Sequence, residues 1–248
     1  MNEPVRLAKR LAEIRACSRR EAEQLIEGGW VRVDGDVVDL PQERVGPQQR
    51  IEVDPQARPA PVAPVTLLLH KPPGFDAPEG RRPAAQLLTR AAHAPPPGAG
   101  GRTAPVLGRH LAQQACVTPL ETGASGLVVF TQEWGVRRKL TEDAALVEHE
   151  VIVEVAGPVA PDALAQLNRA PVVDGRAMLP ARVSVSRATP GTTGLRFATK
   201  GHWPGRIAQM CDAAGLRITG MKRIRIGRVA LAGLAPGQWR YLLPHERI

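Results

Sequence analysis

One short segment near the start of the chain constrains its fold more than any other feature. Ser18 followed three residues later by Glu21 has the sequence of a capping box, which predicts that a helix begins there. Ala22, Leu25 and Ile26 follow at a spacing that puts their side chains on one face of this helix. The segment therefore predicts an amphipathic helix whose apolar face packs against other elements.

The residues on either side of this helix predict a helix before it and a hairpin after it. Leu7, Leu11 and Ile14 recur at helical spacing, which predicts a first helix with one apolar face. Two short valine-rich strands, 31–33 and 37–38, are separated by an Asp-Gly turn, which is typical of a tight hairpin.

Both predicted helices carry basic residues. Lys9 and Arg10 lie on the first helix, and Arg19 and Arg20 lie in the first turn of the second. A helix dipole disfavours cations at that end, so two arginines there indicate an external anion, and phosphate is the natural candidate. The alternative interpretation is a pair of charged, solvated helices with no ligand.

Two small helices, a hairpin and a basic rim over residues 5–54 resemble the alpha-L RNA-binding module, here called the S-four type. The resemblance implies that Lys9, Arg10, Arg19 and Arg20 contact RNA. The charge of the whole chain agrees, with 33 Lys and Arg against 24 Asp and Glu. Nine basic and only two acidic residues fall between 200 and 248. Such a balance predisposes a protein towards polyanions.

A proline-rich stretch, residues 54–64, predicts a semi-rigid tether between two domains. The second domain is expected to span 64–248, with a mobile insertion rich in Pro, Gly, Ala and Arg over about 77–105. Its strand-like runs are 66–69, 127–130, 151–155, 183–185, 195–197 and 223–226, and its helical patterns are 136–146 and 207–214. The fold class is therefore predicted to be α+β, with a mixed, mainly antiparallel sheet in the second domain.

The cysteines argue against a disulfide framework or a metal site. Cys17, Cys116 and Cys211 are odd in number and far apart, so we expect buried thiols. No apolar run has the length of a membrane helix, and the start of the chain has no leader-like segment, so we expect a cytoplasmic protein.

Four segments in a fixed order extend the resemblance to nearly the whole chain. The S-four-type module is followed by Lys71-Pro72-Pro73-Gly74, by Ser125-Gly126-Leu127, and by 222–227 with Pro236-Gly237-Gln238-Trp239-Arg240. This order resembles the bacterial RNA pseudouridine synthases that carry an appended S-four domain. The resemblance implies a reaction that detaches uracil from its ribose, turns the base and rejoins it through carbon, with no cofactor.

In that family a single aspartate does the covalent or acid-base work, in a Gly-Arg-Leu-Asp segment shortly before Thr-Ser-Gly-Leu. The resemblance puts Glu121 at the aspartate and Pro119 at the arginine. It also puts Val151 where the family has a tyrosine against the target base, and leaves only Arg206 of a basic third motif. The resemblance implies further phosphate contacts from the basic residues Lys71, Arg206, Lys222, Arg223 and Arg225.

Two hypotheses follow from these departures. In the first, the protein is an enzyme in which Glu121 replaces the aspartate. In the second, it binds RNA without the chemistry, for example in ribosome assembly, and the combination of Glu121, Pro119 and Val151 favours this one. Trp203 is either a base-stacking residue or a packing anchor. The expected partner is structured ribosomal or transfer RNA, with no membrane and no metal, and we expect a monomer.

Overall fold

The computed structural model describes residues 3–95, 105–170, 172–173, 176–177, 179–201 and 204–248. Its contacts divide the chain into two compact units. The first contains the described parts of Met1–Pro64 and Gly98–Gln113, and the second contains those of Val65–Pro97 and Gln114–Ile248. None of the described helices has the length and hydropathy that a membrane crossing requires.

The first unit combines short helices with two small sheets. The elements of the unit are β1 (Val5–Arg6), α1 (Leu7–Arg15), α2 (Arg19–Glu27), β2 (Val31–Val33), β3 (Asp36–Val37), β4 (Arg44–Val45), β5 (Ile51–Val53) and α3 (Gly108–Leu111). Strand β1 pairs antiparallel with β4, and β2 lies between β3 and β5 in a three-stranded antiparallel sheet.

The predicted capping box is confirmed at the start of α2. The Ser18 hydroxyl accepts a hydrogen bond from the Glu21 amide at 3.2 Å, and the Glu21 carboxylate accepts one from the Ser18 amide at 2.8 Å. The core of the unit includes Leu7, Ala8, Leu11, Ala22, Leu25, Ile26, Val31, Val33 and Val45. The prediction for Ile14 is wrong, since its side chain is 53% exposed on the last turn of α1, outside this core.

We expect Ser18→Ala to destabilise the first unit by about 1 kcal/mol, because the Glu21 amide at the start of α2 loses its hydrogen-bond partner. Thermal unfolding together with hydrogen exchange at the Glu21 amide would measure this. Ser18→Asp keeps a capping oxygen and is expected to retain nearly all of the stability. Equal losses in the two variants would contradict the capping role.

A second chain segment completes the first unit. The buried Asp39 carboxylate accepts a hydrogen bond from the Gly108 amide at 2.5 Å. The Leu107 side chain packs so closely on Gly29 that an added Cβ there would lie 2.8 Å from it. The sequence limits of 5–54 for this domain omit that segment, whose contacts with Asp39 and Gly29 are non-local.

The second unit is built on one large sheet. The elements of the unit are β6 (Thr66–Lys71), β7 (Ala115–Cys116), β8 (Ser125–Thr131), α4 (Trp134–Thr141), β9 (Glu148–Ala156), α5 (Pro161–Leu167), β10 (Val172–Val173), β11 (Arg176–Ala177), β12 (Arg182–Ala188), β13 (Thr192–Lys200), α6 (Arg206–Ala213), β14 (Ile218–Ile226), β15 (Val229–Ala230) and β16 (Trp239–Tyr241). The strand order of the large sheet is β12-β13-β9-β14-β8-β6-β16, with β7 beside β8 and β15 beside β14. All neighbours in this sheet pair antiparallel except β14 and β8. The predicted α+β class with a mainly antiparallel sheet is confirmed.

The boundaries of two predicted segments differ from the sequence patterns. The helix predicted over 136–146 is α4, which ends at Thr141, followed by a separate 3-10 turn at Ala144–Leu146. Residues 77–95 of the predicted insertion contain two further 3-10 turns, at Ala84–Leu87 and Arg90–Ala92. The indole of Trp239 donates to the Thr89 carbonyl at 2.7 Å, so this part packs on the sheet. Residues 96–104 lie outside the described residues.

Candidate active site

The turn between β7 and β8 carries Glu121. Leu120 on one side of it is buried, and so is Ala124 on the other, where its amide donates to the Glu121 carbonyl at 3.0 Å. The Thr118 hydroxyl accepts from the Val129 amide at 2.8 Å, which fixes the start of the turn against β8. Glu121 therefore has a backbone held from both ends.

Two buried cations hold the carbonyl groups of this turn. The Lys71 ammonium, at the end of β6, donates to the Ala124 carbonyl at 2.7 Å and to the Thr122 carbonyl at 3.3 Å. The Arg223 guanidinium, on β14, donates to the carbonyls of Thr118 at 2.7 Å and Pro119 at 2.9 Å. Lys71 thus holds carbonyl groups that follow Glu121 in the turn, and Arg223 holds carbonyl groups that precede it.

Burial sets the electrostatics of these two cations. It lowers the pKa of Lys71 to about 8, against the attraction of Asp76 and Glu121. It likewise lowers the pKa of Arg223 to about 10, with Cys116 and Glu121 acting in the opposite direction. Both cations therefore attract the carboxylate of Glu121.

The Glu121 carboxylate also caps a helix. It accepts a hydrogen bond from the Gly205 amide at 2.8 Å, and Gly205 immediately precedes α6. Gly205 has φ +77°, a left-handed conformation that glycine adopts without strain. Such a contact is favourable, because the amino end of a helix carries partial positive charge.

A pocket opens beside this carboxylate. Side chains from three strands and one helix line it, among them Glu121, His149, Val151, Thr199, Arg206 and Met221. The first two residues of β9 that face it, His149 and Val151, are both buried. The pocket therefore combines apolar walls with one carboxylate, the buried guanidinium of Arg223 and a second guanidinium.

Arg206, the first residue of α6, contributes that guanidinium. It is 5% exposed, and burial lowers its pKa. One of its terminal nitrogens donates to the Leu179 carbonyl, whereas its Nε has no hydrogen-bond partner among the described residues. A buried donor of this kind suits a neutral carbonyl acceptor of a bound ligand.

The structure brings together the residues that the resemblance assigned to one site. Glu121, Val151 and Arg206 all line the pocket, and Pro119 lies two residues before the carboxylate. Sequence analysis missed Thr199 and Met221, which come from β13 and β14. The pairing of those two strands with β9 brings both residues to the pocket, and no local sequence pattern predicts this pairing. Trp203 lies outside the described residues.

The predicted phosphate contacts of the second unit differ in how they are held. Lys71 and Arg223 are buried, and their nitrogens donate to main-chain carbonyls, although Arg223 also lines the pocket. Arg225 is paired with Glu148 at 2.5 Å and with Glu150 at 2.9 Å, and these carboxylates raise its pKa. Arg206 faces the pocket, and Lys222 is exposed.

The predicted contacts of the first unit are accessible. Lys9, Arg19 and Arg20 are exposed, and Arg10 is half-buried. Arg19 lies 3.1 Å from Glu23, and Arg10 lies 3.9 Å from Glu13. Exposed ion pairs of this kind contribute little energy, so they leave these side chains available to an anion.

Comparison with known proteins finds similarity along nearly the whole chain. The model of the S4 domain matches residues 5–51. An RNA pseudouridine synthase of Aquifex aeolicus is 27% identical over 98% of this chain and 94% of its own length. Ribosomal small subunit pseudouridine synthase A of Salmonella typhimurium is 26% identical over 98% of each chain. Ribosomal large subunit pseudouridine synthase B of Pseudomonas aeruginosa is 29% identical, and 60% of its length is covered.

One solved structure has the same fold along nearly the whole chain. A crystal structure of a pseudouridylate synthase superposes with a TM-score of 0.56 and covers 96% of each chain, at 20% identity.

Proposed function

We propose that this chain, which is similar to RNA pseudouridine synthases along nearly its whole length and matches the S4 domain near its start, binds structured ribosomal RNA and takes a nucleotide into the Glu121 pocket. The observation that carries the proposal is the convergence of Glu121, Val151 and Arg206 on one pocket. These residues are distant in sequence, and the resemblance assigned all three to a single site. A flipped base suits a pocket with apolar walls and a few polar groups.

The reaction of the family is an isomerisation. The bond from N1 of uracil to the ribose breaks, the base turns, and a bond from C5 forms, while N1 gains the proton that C5 loses. The pocket supplies a carboxylate for this work in Glu121. It does not supply an arginine at residue 119 or an aromatic ring at residue 151, which orient the carboxylate and hold the base in the family pattern.

We infer that binding is retained and that isomerisation is weak or lost. Glutamate places its oxygens about 1.5 Å further from the backbone than aspartate does, and a misplacement of about 1 Å can cost roughly a hundredfold in rate. Here the extra length lets the carboxylate reach the Gly205 amide. The rival hypothesis is that glutamate works as a substitute, and the chemical test is argued in the Discussion.

Transfer RNA is the second possible substrate, and a direct comparison of the two RNA classes by affinity would decide between them. Action on either RNA implies a cytoplasmic protein, as the sequence predicts. We propose that it acts as a monomer, which light scattering after size exclusion, with and without RNA, would test.

Binding to ribosomal RNA is expected to weaken steeply with salt, since the exposed cations displace counterions from phosphates. The double substitution Arg19→Ala, Arg20→Ala should weaken binding and reduce the slope of log K against log salt by about two. Titration between about 50 and 200 mM salt measures this slope.

The matched control is Arg19→Lys with Arg20→Lys, which keeps both charges and should keep the slope. An unchanged slope in the alanine pair would remove these two residues from the interface. Absence of salt-dependent binding by the wild type would overturn the proposed function itself.

A further inference from the structure

The most exposed apolar side chains of the described chain lie together beside α4. Trp134, the first residue of that helix, is 70% exposed, and Leu146 is 78% exposed. Both line one cleft, together with Gly135 and the buried Val147. Burying such a large aromatic ring against a partner would be favourable, so its exposure requires an explanation.

Cations surround this tryptophan. Arg137, Arg138 and Lys139 are consecutive and exposed on α4, and the Arg138 guanidinium lies 5.5 Å from the centre of the Trp134 ring. Arg138 is paired with Glu142 at 3.3 Å, in an exposed ion pair that phosphate could replace. Among the described residues, no ion pair is recorded for Arg137 or Lys139.

The acidic residues nearby do not cancel this character. A carboxylate oxygen of Glu133 accepts from the Thr66 hydroxyl at 2.7 Å, which holds it on the sheet side of α4. Asp143 is the remaining carboxylate in the cleft. Of the apolar side chains in the cleft, Val147 is buried, and only Trp134 and Leu146 are exposed beside charged residues. Two exposed side chains are too few for the dry centre of a stable protein interface.

The cleft and the pocket are linked in two ways, by residues that are close in sequence and by a hydrogen bond. Val147 in the cleft is two residues before His149 in the pocket, a distance of about 7 Å along an extended strand. The Val147 carbonyl accepts from the amide of Gly201, which itself lines the pocket. The cleft and the pocket therefore meet where Val147 and Gly201 are hydrogen-bonded.

We propose that Trp134 is a stacking platform for an unpaired RNA base near the nucleotide that enters the pocket, with Arg138 and Lys139 contacting the adjoining phosphates. An exposed aromatic ring flanked by cations is the usual arrangement for binding single-stranded nucleic acid, since every base has a face on which to stack. This inference rests on the proposed function and adds to it the requirement for an unpaired segment in the RNA.

The test compares Trp134→Ala with Trp134→Phe on two RNAs of equal length, a hairpin with an unpaired loop and a fully paired duplex. Fluorescence anisotropy gives the affinities. The alanine variant should bind the looped RNA about tenfold more weakly than the wild type. The phenylalanine variant should stay close to the wild type, and the duplex should bind all three proteins equally.

Several outcomes would overturn this inference. Equal binding of the looped RNA by the wild type and Trp134→Ala would exclude stacking while leaving the proposed function intact. Absence of RNA binding by the wild type would remove both proposals. A change of oligomeric state in Trp134→Ala or Leu146→Ser, with RNA affinity unaltered, would assign the cleft to a protein partner instead.

Discussion

Incubated with ribosomal RNA, the wild-type protein is expected to bind it and yet form little or no pseudouridine. The reason lies in how the carboxylate of Glu121 is held. Its oxygen accepts a hydrogen bond from the Gly205 amide. Residue 119 is a proline, whose side chain has no donor that could aim the carboxylate. The wall of the pocket at residue 151 is a valine, which cannot hold a flipped base as an aromatic ring does.

Restoring the aspartate alone is expected to be insufficient. Glu121→Asp shortens the side chain but leaves the base unsupported, so we expect no measurable gain. The triple variant Pro119→Arg, Glu121→Asp, Val151→Tyr supplies the carboxylate, its orienting fork and the ring together. We expect turnover only there, at least a hundredfold above the wild type, because precise placement dominates such rates.

Mass-spectrometric mapping of pseudouridine with single, double and triple variants measures this series. The control replaces residue 121 by alanine in the triple background, where any gain should disappear. Val151→Tyr adds volume next to a packed strand, so each variant must also retain the RNA affinity of the wild type. Robust turnover by the wild type, abolished by Glu121→Ala, would instead establish glutamate as a working catalytic residue.

The sequence predicts features that are encoded locally. The capping box at Ser18 and the strand-like run 151–155, which is part of β9, each depend on residues within one turn or one strand. The order of motifs along the chain predicted one site for Glu121 and Val151, and both residues line the same pocket. Such features survive because their physical cause lies within a few residues.

Charged residues near the site were the least predictable. Sequence patterns present Lys71 and Arg223 as free cations, but long-range packing buries both against main-chain carbonyls. Arg225 meets its carboxylates only because β14 pairs with β9. No local pattern separates a buried cation that organises a turn from an exposed one that binds phosphate.

Gly126→Ala is expected to destabilise the second unit severely, by roughly 3 kcal/mol or more. Gly126 has φ +120°, a conformation that side chains rarely adopt. It lies on β8 opposite Arg223, where the parallel β14 approaches so closely that a Cβ would stand 2.5 Å from the Arg223 amide nitrogen. The neighbouring atoms belong to the Arg223 backbone, which cannot move away by changing rotamer as a side chain can.

The consequences of this substitution should extend to the pocket. Displacing β14 moves the Arg223 guanidinium, which holds the carbonyls of Thr118 and Pro119 beside Glu121. Gly123→Ala is the matched control, since Gly123 lies three residues earlier, in the turn before β8, with no atom within 4 Å of an added Cβ. Its effect on the free energy of unfolding should stay within about 0.5 kcal/mol. Denaturant unfolding of both variants compares them, and similar midpoints would show that the approach of β14 to β8 does not require glycine.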